Sequence, residues 1–229
     1  MRHYQTFNEA FNEIKRDLGE MGTNVHTQTY QNKHIADDRN FATKELQYYS
    51  YMVINPRFID LSPIQPWADM EWEERLSGIH GEPVNPGTAW LARKDIWGEF
   101  INEDGEFDYT YSERFARFNQ VMNVVDLFNK DPQTRQAVVS MWTPEDSIEH
   151  DPIRRKPCTQ RYQFMFRDDV LYCKYEMRSC DWSTHFQNDI FLAMKLQHFI
   201  ADSCALHPGP FIHSMDSLHV YNRDVADVF

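Results

Sequence analysis

The sequence predicts an α+β fold, and two observations carry that prediction. Some segments space their apolar residues at helical intervals, while others alternate strictly. The two kinds of segment mix without the strand–helix–strand rhythm of a doubly wound parallel sheet. No internal repeat, low-complexity tract or domain boundary interrupts the chain, so one domain is expected over residues 1–229.

Residues 7–18 place Phe7, Phe11, Ile14 and Leu18 on one helical face. Residues 41–53, FATKELQYYSYMV, read as a second helix. The stretch 55–112 is rich in Pro, Gly, Trp and acidic residues and reads as loops with short helices. Residues 112–129 are the clearest helix. Phe115, Phe118, Met122, Val125 and Phe128 share a face, Ser112 is the N-cap, and Glu113 lies in the first turn. Asp131-Pro132 ends it. Ala137 to Trp142 reads as a buried strand. Residues 160–178 read as a hairpin, with Tyr162, Phe164 and Phe166 alternating before an Asp168-Asp169 turn. Residues 189–205 form an apolar helix closed by His207-Pro208-Gly209. Leu218 to Tyr221 is a last strand.

Composition narrows the function. Of 229 residues, 41% are hydrophobic and 14% aromatic, enough for a sizeable core and against disorder. Lys and Arg total 23 against 35 Asp and Glu, a formal charge of -12 that argues against a broad nucleic-acid surface. A few local arginines still suffice to hold one small phosphate. No run of 18 apolar residues predicts a membrane span, and the polar N-terminus lacks an apolar signal core. Cys158, Cys173, Cys180 and Cys204 fit no zinc spacing, so neither a metal site nor a disulfide framework is expected. A reduced, cytoplasmic compartment is the simplest expectation.

Several constellations offer chemistry, each with a plainer alternative. Cys158 follows Arg154-Arg155-Lys156-Pro157, and adjacent cations lower a thiol's pKa and raise its thiolate fraction. A free cysteine is more often a buried core residue, the reading kept for the other three. Arg178-Ser179 at a strand end suits a phosphate, or forms an ordinary surface turn. Asp189 opens an apolar helix, where an acid normally complements the helix dipole. Glu45 is most simply a solvated helix residue. His219 and Tyr221 share one face of a strand and would meet either a ligand or water. GxGxxG, GxxxxGK[ST], GxSxG and HExxH are all absent.

Taken in order, these fragments change the weighing. Phe118-Asn119-Gln120-Val121, Asn129 to Arg135, Pro157-Cys158, Arg178-Ser179-Cys180-Asp181, LHPGPFI at 206–212 and Leu218-His219-Val220-Tyr221 together resemble the thymidylate synthase family. The likeness is firm from about residue 112 to 224 and thin before. It implies a mixed sheet with packed helices, paired through that sheet as a homodimer. It implies Cys158 as nucleophile toward C6 of a pyrimidine nucleoside monophosphate, with 5,10-methylenetetrahydrofolate as co-substrate. Glu45, in a Glu-Leu-x-x-Tyr/Phe stretch, is matched to the family's catalytic glutamate. Arg178 and Ser179 would bind the 5′-phosphate, and Arg135 a partner's phosphate. His219 and Tyr221 would meet the sugar 3′-hydroxyl, and Asp181 the folate.

Eight residues after Asp181, synthases carry Asn; here the position is Asp189, beside Asn188 in the substrate-binding set. Asp at that position, and Thr159 after the nucleophile where synthases have His, resemble the family's phage deoxycytidylate hydroxymethylases. The swap is chemically apt. Uracil offers an N3–H donor and an O4 acceptor, which an amide matches. Cytosine offers an N3 acceptor and an N4 donor, which a protonated carboxyl matches. The resemblance therefore implies hydroxymethylation of dCMP in a host cytosol. Hydroxymethylation of CMP or dUMP, thymidylate synthesis and an inactive nucleotide-binding relative remain as alternatives. Three departures stand out. Gln136 sits where the family has a second arginine, and Pro86 precedes Gly87 where it has Tyr-Gly. The sequence ends at Phe229, where relatives continue into a segment closing over the folate, so lid closure is expected to differ.

Overall fold

The computed structural model describes residues 1–30, 33–148 and 155–229. Its elements in chain order are β1 (Arg2–Tyr4), α1 (Phe7–Met21), β2 (Thr23–Val25), β3 (Thr29–Tyr30), β4 (Lys33–His34), β5 (Thr43–Val53) and α2 (Trp67–Ile79). Then come α3 (Lys94–Trp97), α4 (Tyr111–Ala116), α5 (Gln120–Lys130), β6 (Val138–Ser140), α6 (Pro144–Ile148), β7 (Thr159–Arg167) and β8 (Val170–Met177). The chain closes with β9 (Cys180–Asp181), α7 (Phe186–Ser203), β10 (Pro208–Tyr221) and α8 (Val225–Val228).

Among the described residues, eight strands build one mixed sheet in the order β1-β5-β10-β8-β7-β6, with β2 on β5 and β9 on β10. β10 runs antiparallel to β5 and parallel to β8, which explains why no βαβ rhythm shows in the sequence. The sheet buries one face. β8 turns Leu171, Cys173, Tyr175 and Met177 inward and leaves Tyr172, Lys174 and Glu176 half-buried. α1 packs on β5 and α7 on β8 and β10, so Phe7, Ile14 and Leu18 meet the same core as Ile190, Met194 and Ile200. A column of rings crosses the sheet. Tyr162, Tyr175 and His213, from β7, β8 and β10, stack at 4.7 and 5.0 Å with near-parallel planes.

Three expectations need correction. Residues 43–53 are a strand rather than a helix. Tyr48 takes a left-handed φ of 51°, which breaks the two-residue alternation and leaves apolar residues at helix-like intervals. The helix expected over 112–129 is two. Phe118 and Asn119 both adopt positive φ between α4 and α5, and Phe118 is exposed rather than on the buried face. Thr110, not Ser112, caps α4, in a reciprocal capping box with Glu113. The segment 55–112 hides a full helix, α2. Its Gly78 passes so close to α4 that a Cβ would lie 2.1 Å from the Ser112 carbonyl oxygen.

Candidate active site

A cavity of about 1120 Å3, counted to its open mouth, lies between α2, α7, the end of β10 and the loop before β7. It brings Cys158, Ser179, Asp181, Asp189, His219 and Tyr221 together from four separate stretches of chain. One wall is aromatic, with Trp67, Trp90, Trp97, Phe107 and Tyr109; another carries Glu71, Glu74 and Arg75 from α2. All of these additional residues come from 55–112, read in the sequence as loops with short helices.

Cys158 precedes β7 on a loop that is tied down on both sides. Arg178 donates from Nε to the Pro157 carbonyl at 2.8 Å and from Nη2 to the Lys156 carbonyl at 3.0 Å. The Arg178 backbone N–H bonds the Cys158 carbonyl at 2.9 Å. On the far side the Thr159 N–H donates to the Tyr111 hydroxyl at 3.2 Å, and the Thr159 hydroxyl bonds that of Tyr175 at 2.8 Å. Arg178 thus shapes the cysteine loop and lies outside the cavity lining, against the indole of Trp142. Arg154 lies outside the described residues. Burial pushes the Cys158 thiol up from its usual pKa, and Arg178 and Arg155 only partly offset that, with Asp189 and Asp181 adding to the rise. The activation expected from neighbouring cations is therefore outweighed by desolvation.

Asp189 stands in the first turn of α7, yet it faces the cavity and does not cap the helix. Burial raises its carboxyl to about 8; Arg75 opposes the rise, and Glu71 and Asp181 add to it. At neutral pH it is mostly a protonated acid, with one O–H donor and one carbonyl acceptor side by side. Asn188 points elsewhere. Its Oδ1 accepts from the Ile64 N–H at 2.8 Å, so the expected ligand contact is instead an anchor for the loop entering α2. Gln187 does the same for Ser62 at 2.7 Å.

Glu45 sits on β5 rather than on a helix. It lies opposite His219, and it is not among the cavity-lining residues. Its carboxylate accepts from Ser217 Oγ at 2.6 Å, and Ser217 lies 3.2 Å from His219 Nδ1, so Glu45 reaches the cavity only through two other side chains. The glutamates that do line the cavity are Glu71, paired with Arg75 at 2.6 Å, and Glu74. Glu74 accepts through Oε1 from the Ala89 N–H at 2.7 Å, and burial raises its pKa. Gly87 permits this, since a Cβ there would lie 1.9 Å from the same oxygen.

The remaining expected residues divide in two. His219 is buried and kept neutral by desolvation, its ring 5.0 Å from Tyr221. Asp181 accepts from the Ser183 and Thr184 N–H groups at 3.0 and 3.4 Å. Arg135 is exposed on the loop between α5 and β6, away from the cavity. Pro86 supplies no hydroxyl, but Tyr111 does, directly beside the cysteine loop. No cluster of metal-ligating side chains occurs among the described residues, and no helix among them is long and apolar enough to cross a membrane.

The thymidylate synthase family model matches residues 85–229. A thymidylate synthase of Francisella philomiragia subsp. philomiragia is 28% identical over 148 residues, covering 58% of this chain and 54% of that protein. One of Buchnera aphidicola subsp. Acyrthosiphon pisum (strain Tuc7) is 29% identical over 138 residues, covering 57% and 51%. The chain spans about half the length of the curated relatives it matches.

Proposed function

The chain belongs to the thymidylate synthase family, and from that premise we propose that it transfers a one-carbon unit to C5 of dCMP as a hydroxymethyl group. The observation that carries the base assignment is Asp189, a carboxyl raised to about 8 in the same cavity as Cys158. Its O–H donates to cytosine N3, and its carbonyl accepts from the N4 amino group. Uracil presents N3–H and O4, which the acid matches only with its proton on the other oxygen; with the proton held toward N3 the contact is donor against donor, a buried mismatch that favours cytosine.

The residues divide the work as follows. Cys158, once ionised, adds through sulfur to C6 and places electron density on C5. The thiol proton is taken up within the site, and Glu74 is the lining carboxylate suited to proton transfer and to positioning water. 5,10-Methylenetetrahydrofolate supplies the one-carbon unit, and the aromatic wall of Trp67, Trp90 and Trp97 fits a flat heterocycle of that kind. C5 bonds to that carbon, the C5 proton is lost and tetrahydrofolate departs to leave an exocyclic methylene; water adds to the methylene, and sulfur then leaves C6. Ser179 holds the nucleotide phosphate with a remaining donor of Arg178, while His219 and Tyr221 meet the sugar. Asp181 faces the folate. Glu45 acts at a distance, orienting His219 through Ser217. The half-buried sheet face suits a homodimer in which Arg135 reaches the partner's phosphate. Hydroxymethyl-dCMP suits a phage that builds modified DNA.

Tritium release from 5-tritiated dCMP and dUMP, with methylenetetrahydrofolate and product mass, tests this reading. Release from dCMP with a gain of CH2O supports it. Release from dUMP alone with a gain of CH2 makes the chain a synthase, as its named relatives are, and removes the role given to Asp189.

A further inference from the structure

Arg155 sits in the aromatic half of the cavity in an unusual setting. It is 7% exposed, and its guanidinium lies 4.9 Å from the Trp97 ring, 5.2 Å from Phe100, 5.4 Å from Phe107 and 5.2 Å from Tyr109. The rings satisfy the flat faces of the cation. They offer nothing to its in-plane donors, and Nε and Nη1 are buried with no hydrogen-bond partner among the described residues. The backbone N–H is held by Asp108 at 3.2 Å, so the residue is anchored at its root. A buried charged donor without an acceptor is costly, and native structures rarely leave one.

We infer that Arg155 determines specificity for the second ligand of this cavity, donating to an oxo or carboxylate oxygen carried by a flat aromatic ring system. The inference rests on the reading of the cavity as a one-carbon transfer site and names the residue that recognises the donor. A nucleotide phosphate is the poorer match, because it makes no use of four surrounding rings. The two donors are sealed from water, so an acceptor reaches them only when a planar ligand parts the rings. Trp97 lies against the guanidinium and reports that event. Arg155 also lies three residues before Cys158, so the contact that recognises the donor is made by the loop that carries the thiol.

Tryptophan fluorescence titration of the full chain tests this, with tetrahydrofolate and dCMP as separate probes, on wild type, Arg155→Lys and Arg155→Met. Lys keeps the charge without the planar fork; Met keeps much of the volume without donors. Tetrahydrofolate Kd is expected to rise at least tenfold in both variants, about 1.4 kcal/mol, with dCMP Kd changed less than twofold. In turnover, KM for the folate rises more than kcat falls. Unchanged tetrahydrofolate affinity in both variants, or no binding by wild type, overturns the inference. So does weakening of dCMP alone, which would give Arg155 to the phosphate. Should Arg155→Met fail to fold, Arg155→Lys decides. A tetrahydrofolate shift without turnover of any cytosine nucleotide would sink the dCMP reading and leave Arg155 in its role.

Discussion

Replacing Asp189 by Asn tests the site through stability as well as chemistry. An ordinary aspartate ionises at 3.8, whereas this one is raised to about 8. The folded chain thus retains a proton that the unfolded chain releases. Stability from this group is complete below pH 3.8 and is lost as pH rises toward 8. From 3.8 to 7 is roughly three pH units at about 1.4 kcal/mol each, an upper figure of about 4 kcal/mol. Solvent at the cavity mouth reduces the expected gain on removing the acid to about 2 kcal/mol. Asp189→Asn should therefore match wild type near pH 4 and exceed it at pH 7, by roughly 5 °C in Tm for a chain of this size. Urea unfolding at pH 4, 5, 6, 7 and 8 measures the difference. Parallel stability curves for the two proteins across that range would refute the buried-acid argument. The same variant should move the ratio of kcat/KM from cytosine toward uracil nucleotides, and an unchanged ratio would refute the base contact.

Four further outcomes follow from the geometry. Glu74→Gln should lower kcat by about 10²–10⁴-fold, whereas Glu45→Gln, two hydrogen bonds from the cavity, should cost about tenfold or less; the reverse order would restore Glu45 as the proton-transfer group. Gly87→Ala drives a methyl into the Glu74 carboxylate and should lower kcat while leaving dCMP Kd within about twofold, which a paired kinetic and titration experiment checks. Cys158→Ser should abolish the covalent adduct that wild type forms with a 5-fluoropyrimidine nucleotide and methylenetetrahydrofolate, read by intact-protein mass; an adduct on the variant would reassign the nucleophile. His213 is fully buried and its pKa is depressed to about 3, so it favours the fold above pH 6.5 and that contribution is lost as pH falls toward 3. His213→Phe should flatten the acid limb of the stability curve, and an unchanged limb would place the proton uptake elsewhere.

What could be read from the sequence followed from how local the information was. α1, the β7–β8 hairpin and most of α7 repeat their apolar residues with an uninterrupted period, and each begins or ends within a few residues of its expected place. α2 did not, for a functional reason. Its inward side carries Glu71, Glu74 and Arg75, so the polar residues face the cavity instead of solvent and the amphipathic signal is blurred. Cys158, Asp181, Asp189, His219 and Tyr221 were legible because they belong to short ordered motifs. Tyr111 belongs to no such motif, and Arg155 was legible only as one cation of the run before Cys158. Only the packing of the 97–111 stretch over the cysteine loop brings Tyr111 to the cavity and surrounds Arg155 with rings.

The two hydrogen bonds from α7 to the loop before α2 have a mechanical meaning. Gln187 and Asn188 grip the main chain at Ser62 and Ile64, immediately before the residue proposed to read the base. A few residues on from that grip begins the helix that carries Glu74. Reader and proton-transfer group are thus riveted to one another through backbone, and neither can drift alone. Under the proposed roles, a base that seats badly against Asp189 is expected to disturb this junction and, through it, the position of Glu74. The wrong pyrimidine is then penalised at turnover and not at binding alone, so a poor substrate would show itself as occupied but idle enzyme.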